Sequence, residues 1–114
     1  HAMSHPIGAV FNTHHGTTNA VCMPAVLDLN ADMIRERFDR AGEYLGIPNG
    51  YAGFRNFVNE FNDRFDIPKG LAEIGVTVDR IDDLTAMALE DPSCGGNPVK
   101  LTPENVAGLF RAAM

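Results

Sequence analysis

Four histidines, His1, His5, His14 and His15, are the only ones in this chain, and all lie within its first fifteen positions. Neutral imidazole is the commonest ligand for divalent first-row metals, and several from neighbouring elements make a recognisable site. His1 and His5 are one helical turn apart, so on a helix their side chains share a face. His15 follows across a short stretch that can bring its ring back toward the same point. Spacing alone leaves other readings open: a tag remnant at His1, and capping or surface roles for His14 and His15. Other chemistry-bearing residues have plainer explanations. Asp82 and Asp83 suit the first turn of a helix, and Arg35, Glu36, Arg37, Asp39 and Arg40 suit a solvated helix face. Asn19 reads as a cap or as a residue touching the histidine pocket, and Cys22 as a small core residue.

The elements that must hold these histidines read as helices. His1 to Phe11 is helix-compatible, with Pro6 marking a first turn or a kink. Asn12 to Gly16 is a loop, and a second helix runs from Thr17 or Thr18 to Leu29, bent at Pro24. A third starts near Asn30, with Asp32 as a further candidate cap, and repeats Ile34, Phe38, Ala41 and Leu45 on one face. Gly46, Pro48, Asn49 and Gly50 break it. The period Phe54, Phe57, Phe61 and Phe65, with Val58 alongside, predicts a helix whose aromatic stripe packs into the core. Ile67 to Gly75 connects, with Leu71 and Ile74 inward. Asp79 is the expected N-cap of a helix to Leu89 that buries Ile81, Leu84 and Ala88. After the loop Asp91 to Pro98, Thr102 as N-cap and Pro103 open a last helix burying Val106, Leu109, Phe110 and Ala113. Only Val76 to Val78 suits a strand, and alone it would have no partner. The fold class is all-α.

Composition bounds the rest. A chain of 114 residues, 45% hydrophobic, is one domain able to bury roughly two-thirds of its unfolded surface. Its net charge of -6 argues against a nucleic-acid backbone binder. No apolar run approaches the length of a membrane span. Two cysteines, Cys22 and Cys94, suit a reducing compartment, so a cytoplasmic location is expected. No leader pattern is visible, and a start at His1 reads as a piece of a longer protein.

The wording around the histidines is more specific than their spacing. His1-Ala-Met-Ser-His5-Pro-Ile-Gly-Ala9, then His15-Gly-Thr-Thr-Asn-Ala20 and Met23-Pro-Ala-Val-Leu27, resemble the iron-dependent alcohol dehydrogenases. Asn30, Gly70-Leu71 through Gly75-Val76, and Gly95-Gly96-Asn97-Pro98 before Leu101-Thr102-Pro103-Glu104 are similar to the same family's C-terminal half. The resemblance spans essentially the whole chain and implies a helical bundle of the dehydroquinate synthase-like kind over residues 1–114. It also makes His1 a native residue. It implies that His1 and His15 bind the metal, iron(II) or in some relatives zinc. It puts His5 near both metal and nicotinamide, as the residue that orients substrate or relays a proton. Ser93, with Cys94 beside it, falls where some relatives place a substrate-pocket residue. His14 has no family role and is read as loop surface.

The resemblance implies interconversion of a primary alcohol and an aldehyde, with hydride passed to NAD or NADP and a Lewis-acidic metal at the substrate oxygen. The departures matter as much. The family's remaining ligand pair, in a D-x-x-x-H spacing, is absent, as is any glycine-rich unit for a pyrophosphate. Val99-Lys100 stands where relatives often carry an arginine. The missing nucleotide-binding domain is therefore an expected partner, and the chain alone is expected to be inactive. Assembly into a homo-oligomer is expected, with neither nucleic acid nor membrane as partner. The other reading is a helical interaction or oligomerisation module without catalysis.

Overall fold

The computed structural model describes residues 1–114, which form six α-helices and no strand. They are α1 (Ser4–Phe11), α2 (His15–Asn30), α3 (Arg35–Leu45), α4 (Gly50–Arg64), α5 (Ile81–Glu90) and α6 (Pro103–Ala113), with short 3-10 turns at Leu71–Ile74, Val78–Arg80 and Pro92–Gly96. The all-α expectation holds, and the isolated strand does not form: Val76 is buried while Val78 is exposed in a 3-10 turn.

One core joins α1, α2, α5 and α6. Met3 and Ile7 of the first segment meet Val21 and Cys22 of α2, Ile81, Leu84 and Ala88 of α5, and Val106, Leu109, Phe110 and Ala113 of α6. Leu71, fully buried, plugs this core from the connector. Burying each of the larger side chains among these, such as Ile7, Leu84 or Phe110, contributes about 1.5–3 kcal/mol. α6 starts as its sequence states: Thr102 accepts the Asn105 N–H at 3.2 Å and the Asn105 side chain returns to the Thr102 N–H at 2.8 Å, a closed capping box.

α3 and α4 form a hairpin that packs against α2 through α4. Gly46, at φ 70°, ends α3, and the Ile47 N–H returns to the Gly42 carbonyl at 2.8 Å. α4 begins so close to the preceding turn that a Cβ on Gly53 would lie 1.8 Å from the Pro48 carbonyl oxygen. The hairpin core is aromatic: Phe38 meets Tyr51 and Phe54 with ring centroids 4.9 and 5.3 Å apart.

Three expectations are corrected here. The phenylalanine stripe is not a core face: Phe57, Phe61 and Phe65 are 42%, 50% and 58% exposed, and Val58 is the buried residue of α4. α2 and α3 cover only the side bearing Phe54 and Val58, so the far end of the row stacks on itself, Phe61 on Phe65 at 4.6 Å. Leu45, grouped on one face with Ile34, Phe38 and Ala41, does not share the burial of Phe38 and is exposed at the end of α3. Asp79 does not cap α5, because the chain enters through the 3-10 turn Val78–Arg80 and Arg80 takes the cap position without a side-chain bond.

Gly53→Ala should therefore lower the thermal midpoint, by a few degrees or more for a cost of about 1–3 kcal/mol. Gly108→Ala, in α6 with nothing within 4 Å of its added Cβ, should raise stability by about 0.5–1 kcal/mol. A scanning-calorimetry pair with equal midpoints would contradict the close approach at Gly53.

Candidate metal centre

The site begins with the α1–α2 turn. Ser4, Pro6 and Ile7 bury one side of α1, which leaves His5 on the exposed side. The His5 N–H bonds the His1 carbonyl at 3.0 Å, which sets His1 one turn before His5. Asn12 then adopts φ 52° and its N–H closes on Gly8 at 3.0 Å, so the chain reverses within three residues. His14 caps α2, its Nδ1 accepting the Thr17 N–H at 3.3 Å. The buried Thr18 hydroxyl locks the turn from inside, 2.8 Å from Thr13 Oγ1 and 3.0 Å from the His14 carbonyl. His15 is left as the first residue of α2, beside His1 and His5.

Ring centroids lie 5.3 Å apart for His1 and His15, 5.3 Å for His5 and His15, and 5.8 Å for His1 and His5. One ligand nitrogen from each lies within 4.8 Å of the others, and all three residues are exposed. A first-row ion with bonds of about 2.1 Å holds tetrahedral nitrogens about 3.4 Å apart, a difference that rotation of exposed rings can close. The donor set therefore fits a divalent first-row ion. The turn unites His1, His5 and His15 and leaves His14 outside as a cap. Asn19 reaches the cluster, its amide nitrogen 3.0 Å from His15 Nε2.

Asp91, at the start of the loop after α5, brings a carboxylate to the site. Its Oδ2 lies 2.6 Å from His5 Nδ1. Its Oδ1 accepts the Ser93 N–H at 2.8 Å and the Ser93 hydroxyl as well, capping the 3-10 turn Pro92–Gly96. The Ser93 hydroxyl, the His5 ring and the Ser93 N–H hold the carboxyl down at about 2, from a usual 3.8. Asp followed by Pro and Ser is a turn signature, but nothing local in the sequence joins it to His5, 86 positions away.

The loop carrying Asp91 is itself anchored. Asn30, buried at the end of α2, and Asn97 exchange amide bonds of 2.8 and 2.9 Å; the Asn97 amide also donates to the Val99 carbonyl at 2.7 Å. Ser93 and Cys94 thereby line a cleft of about 250 Å³ together with His1, Met3 and Asn97. Lys100, at the loop's exit, forms no ion pair. A separate cleft of about 390 Å³ between α2 and α4 holds none of the histidines. Its cations are taken: Arg55 grips Asp28 through bonds of 3.0 and 3.3 Å, and Lys69 pairs with Asp63. Cys22 sits in the core, where burial pushes its thiol up to about 11.

Three imidazoles converge on an all-helical scaffold, and comparison with known proteins gives the family. Residues 1–114 match the model of the Fe-containing alcohol dehydrogenase family, C-terminal, and the chain belongs to that family. It is 34% identical over 120 residues to lactaldehyde reductase of Escherichia coli (strain K12), covering 99% of this chain and 31% of that protein. It is 34% identical over 121 residues to NAD-dependent methanol dehydrogenase of Bacillus methanolicus, covering 100% and 32%. The crystal structure of a 1,3-propanediol oxidoreductase superposes with a TM-score of 0.93 at 28% identity, over 100% of this chain and 32% of that one. The chain thus spans about a third of the length of the curated relatives it matches. The fold expected from the resemblance, the family's C-terminal helical domain, is the fold observed.

Two outcomes follow from this geometry. At pH 8 a water-soluble thiol reagent should modify Cys94 roughly tenfold or more faster than Cys22; equal rates in the folded chain would contradict the burial of Cys22. The second concerns Asp91, whose native carboxyl titrates lower than the unfolded one. Its stabilising contribution is complete above about pH 4 and is lost as the pH falls through about 2. Asp91→Asn should thus lower the urea midpoint at pH 7, and the gap to the wild type should close by about pH 2. A gap that is the same at both pH values would contradict the pairing.

Proposed function

We propose that residues 1–114 are the C-terminal, metal-bearing helical domain of an NAD(P)-linked dehydrogenase that interconverts a small primary alcohol and its aldehyde. The observation that carries this reading is the convergence of His1, His5 and His15 at one reversal of the chain, in a member of a metal-dependent dehydrogenase family. His1 and His15 are the proposed ligands for iron(II) or zinc, with the remaining ligands and the nucleotide site supplied from outside residues 1–114. When bound, the ion supplies Lewis acidity and the nicotinamide supplies the hydride acceptor.

The chain's own residues do the rest. His5 lies in the same cluster with one nitrogen taken by Asp91, and its other nitrogen is available to receive the proton of the substrate hydroxyl. The cleft beside His1, walled by Ser93 and Cys94, has room for a short alcohol. Its wall is set by the Asn30–Asn97 amide pair, which makes that pair a determinant of pocket shape. The domain on its own lacks the nucleotide site and is expected to be inactive.

In the full-length protein, His1→Ala or His15→Ala should remove bound metal and alcohol-dependent NAD(P) reduction together, as read by elemental analysis and absorbance. His5→Ala should keep the metal and lose turnover by about 100-fold. Full metal occupancy after changing His1 or His15 would overturn the ligand assignment, and metal loss after changing His5 would make His5 a ligand. A wild-type protein with neither metal nor activity would leave a helical interaction module as the reading.

A further inference from the structure

We propose that Asp91 is the positioning residue of this site, fixing His5 as the Nδ1–H tautomer so that its lone pair lies on Nε2. The proposal deepens the reading of His5 given above and depends on that reading only for its catalytic consequence. An ionised carboxylate has no hydrogen to give and can only accept. At 2.6 Å from Asp91 Oδ2, His5 Nδ1 must therefore carry the proton. With Nδ1 engaged, Nε2 is the nitrogen left to the histidine cluster, as a base when the ring is neutral. A carboxylate behind an imidazole fixes the tautomer and orients the ring.

The loop is built to hold this carboxylate in place. Ser93 donates both its N–H and its hydroxyl to Oδ1, so Oδ2 is the oxygen left for His5. Asp91 is only 11% exposed whereas His5 is 49% exposed; the carboxylate is set by the fold and the ring is oriented by the carboxylate. The Asn30–Asn97 exchange ties the far end of the same turn to α2, the helix that carries His15. Loop and histidine cluster thus share one frame.

This arrangement makes an unusual prediction for Asp91→Asn. Both Ser93 donors claim the amide oxygen, so the NH2 group falls opposite His5 and donates to Nδ1. The proton must then move to Nε2, and the substitution inverts the tautomer instead of merely loosening it. An Asn in place of the triad Asp of a serine protease acts in the same way.

Long-range proton–nitrogen correlation spectra of the metal-free 114-residue chain at pH 8.5 read the tautomer directly. The expected wild-type pattern has His5 Nδ1 protonated and Nε2 unprotonated; Asp91→Asn should exchange the two resonance positions, and Asp91→Glu should restore the wild-type order. A wild-type His5 protonated on Nε2 would overturn the proposal, even if no variant folds. An unchanged pattern in folded Asp91→Asn would overturn it too. Zn(II) titration of the same samples separates the two readings. The Nδ1–H pattern with undiminished Zn(II) affinity in His1→Ala and His15→Ala sustains the role of Asp91 while refuting the ligand assignment.

Discussion

Everything at this site depends on one tight reversal of the chain between α1 and α2. Imidazole rings from positions 1, 5 and 15 can meet at one point only if the intervening backbone turns within three residues and both helices stay fixed relative to each other. Two devices do this. Asn12 enters the left-handed region at a modest strain cost, tolerated because its short polar side chain suits that conformation. Thr18, with no exposed surface, bonds the Thr13 hydroxyl and the His14 carbonyl and ties the turn to the start of α2. The core under α1 and α2, in which Ile7 joins one buried cluster with residues of α5 and α6, holds the reversal on a rigid base. Packing thus comes first, and the convergence of three polar rings is its consequence.

A second constraint arrives from the opposite end of the chain. The turn Pro92–Gly96 follows α5, which packs against α1, and it is pinned to the end of α2 by two asparagines. It delivers a carboxylate to the back of His5 and a pocket wall beside His1. A half-buried polar exchange of this kind is satisfied in both directions, so it specifies position without leaving an orphaned donor. The ring cluster is consequently held from two sides by elements far apart in sequence.

Much of this was readable from local patterns. The histidine wording, the Thr102–Pro103 start of α6 and the buried faces of α5 and α6 are each encoded within a dozen residues, where periodicity and cap chemistry act. What was not readable depends on distant partners. Periodicity shows that Phe54, Phe57 and Phe61 share a face, but not which element covers it. Here α2 and α3 cover the start of the row and leave Phe57, Phe61 and Phe65 exposed. Asp79 satisfied the chemistry of a cap but was displaced by a 3-10 entry to α5. Asp91 carried a turn signature, and its bond to His5 exists only because α5 packs against α1. His14, for which capping and surface roles both suit the sequence, has both: it is exposed and caps α2.

The central claim is that the α1–α2 reversal presents His1 and His15 to a common ion. Nuclear magnetic resonance titration of the histidine rings with Zn(II) tests it most directly. The account predicts that His1 and His15 shift together at one equivalent while His14, committed to its cap, does not follow. Separate titration of His1 and His15, or an equal response at His14, would contradict it.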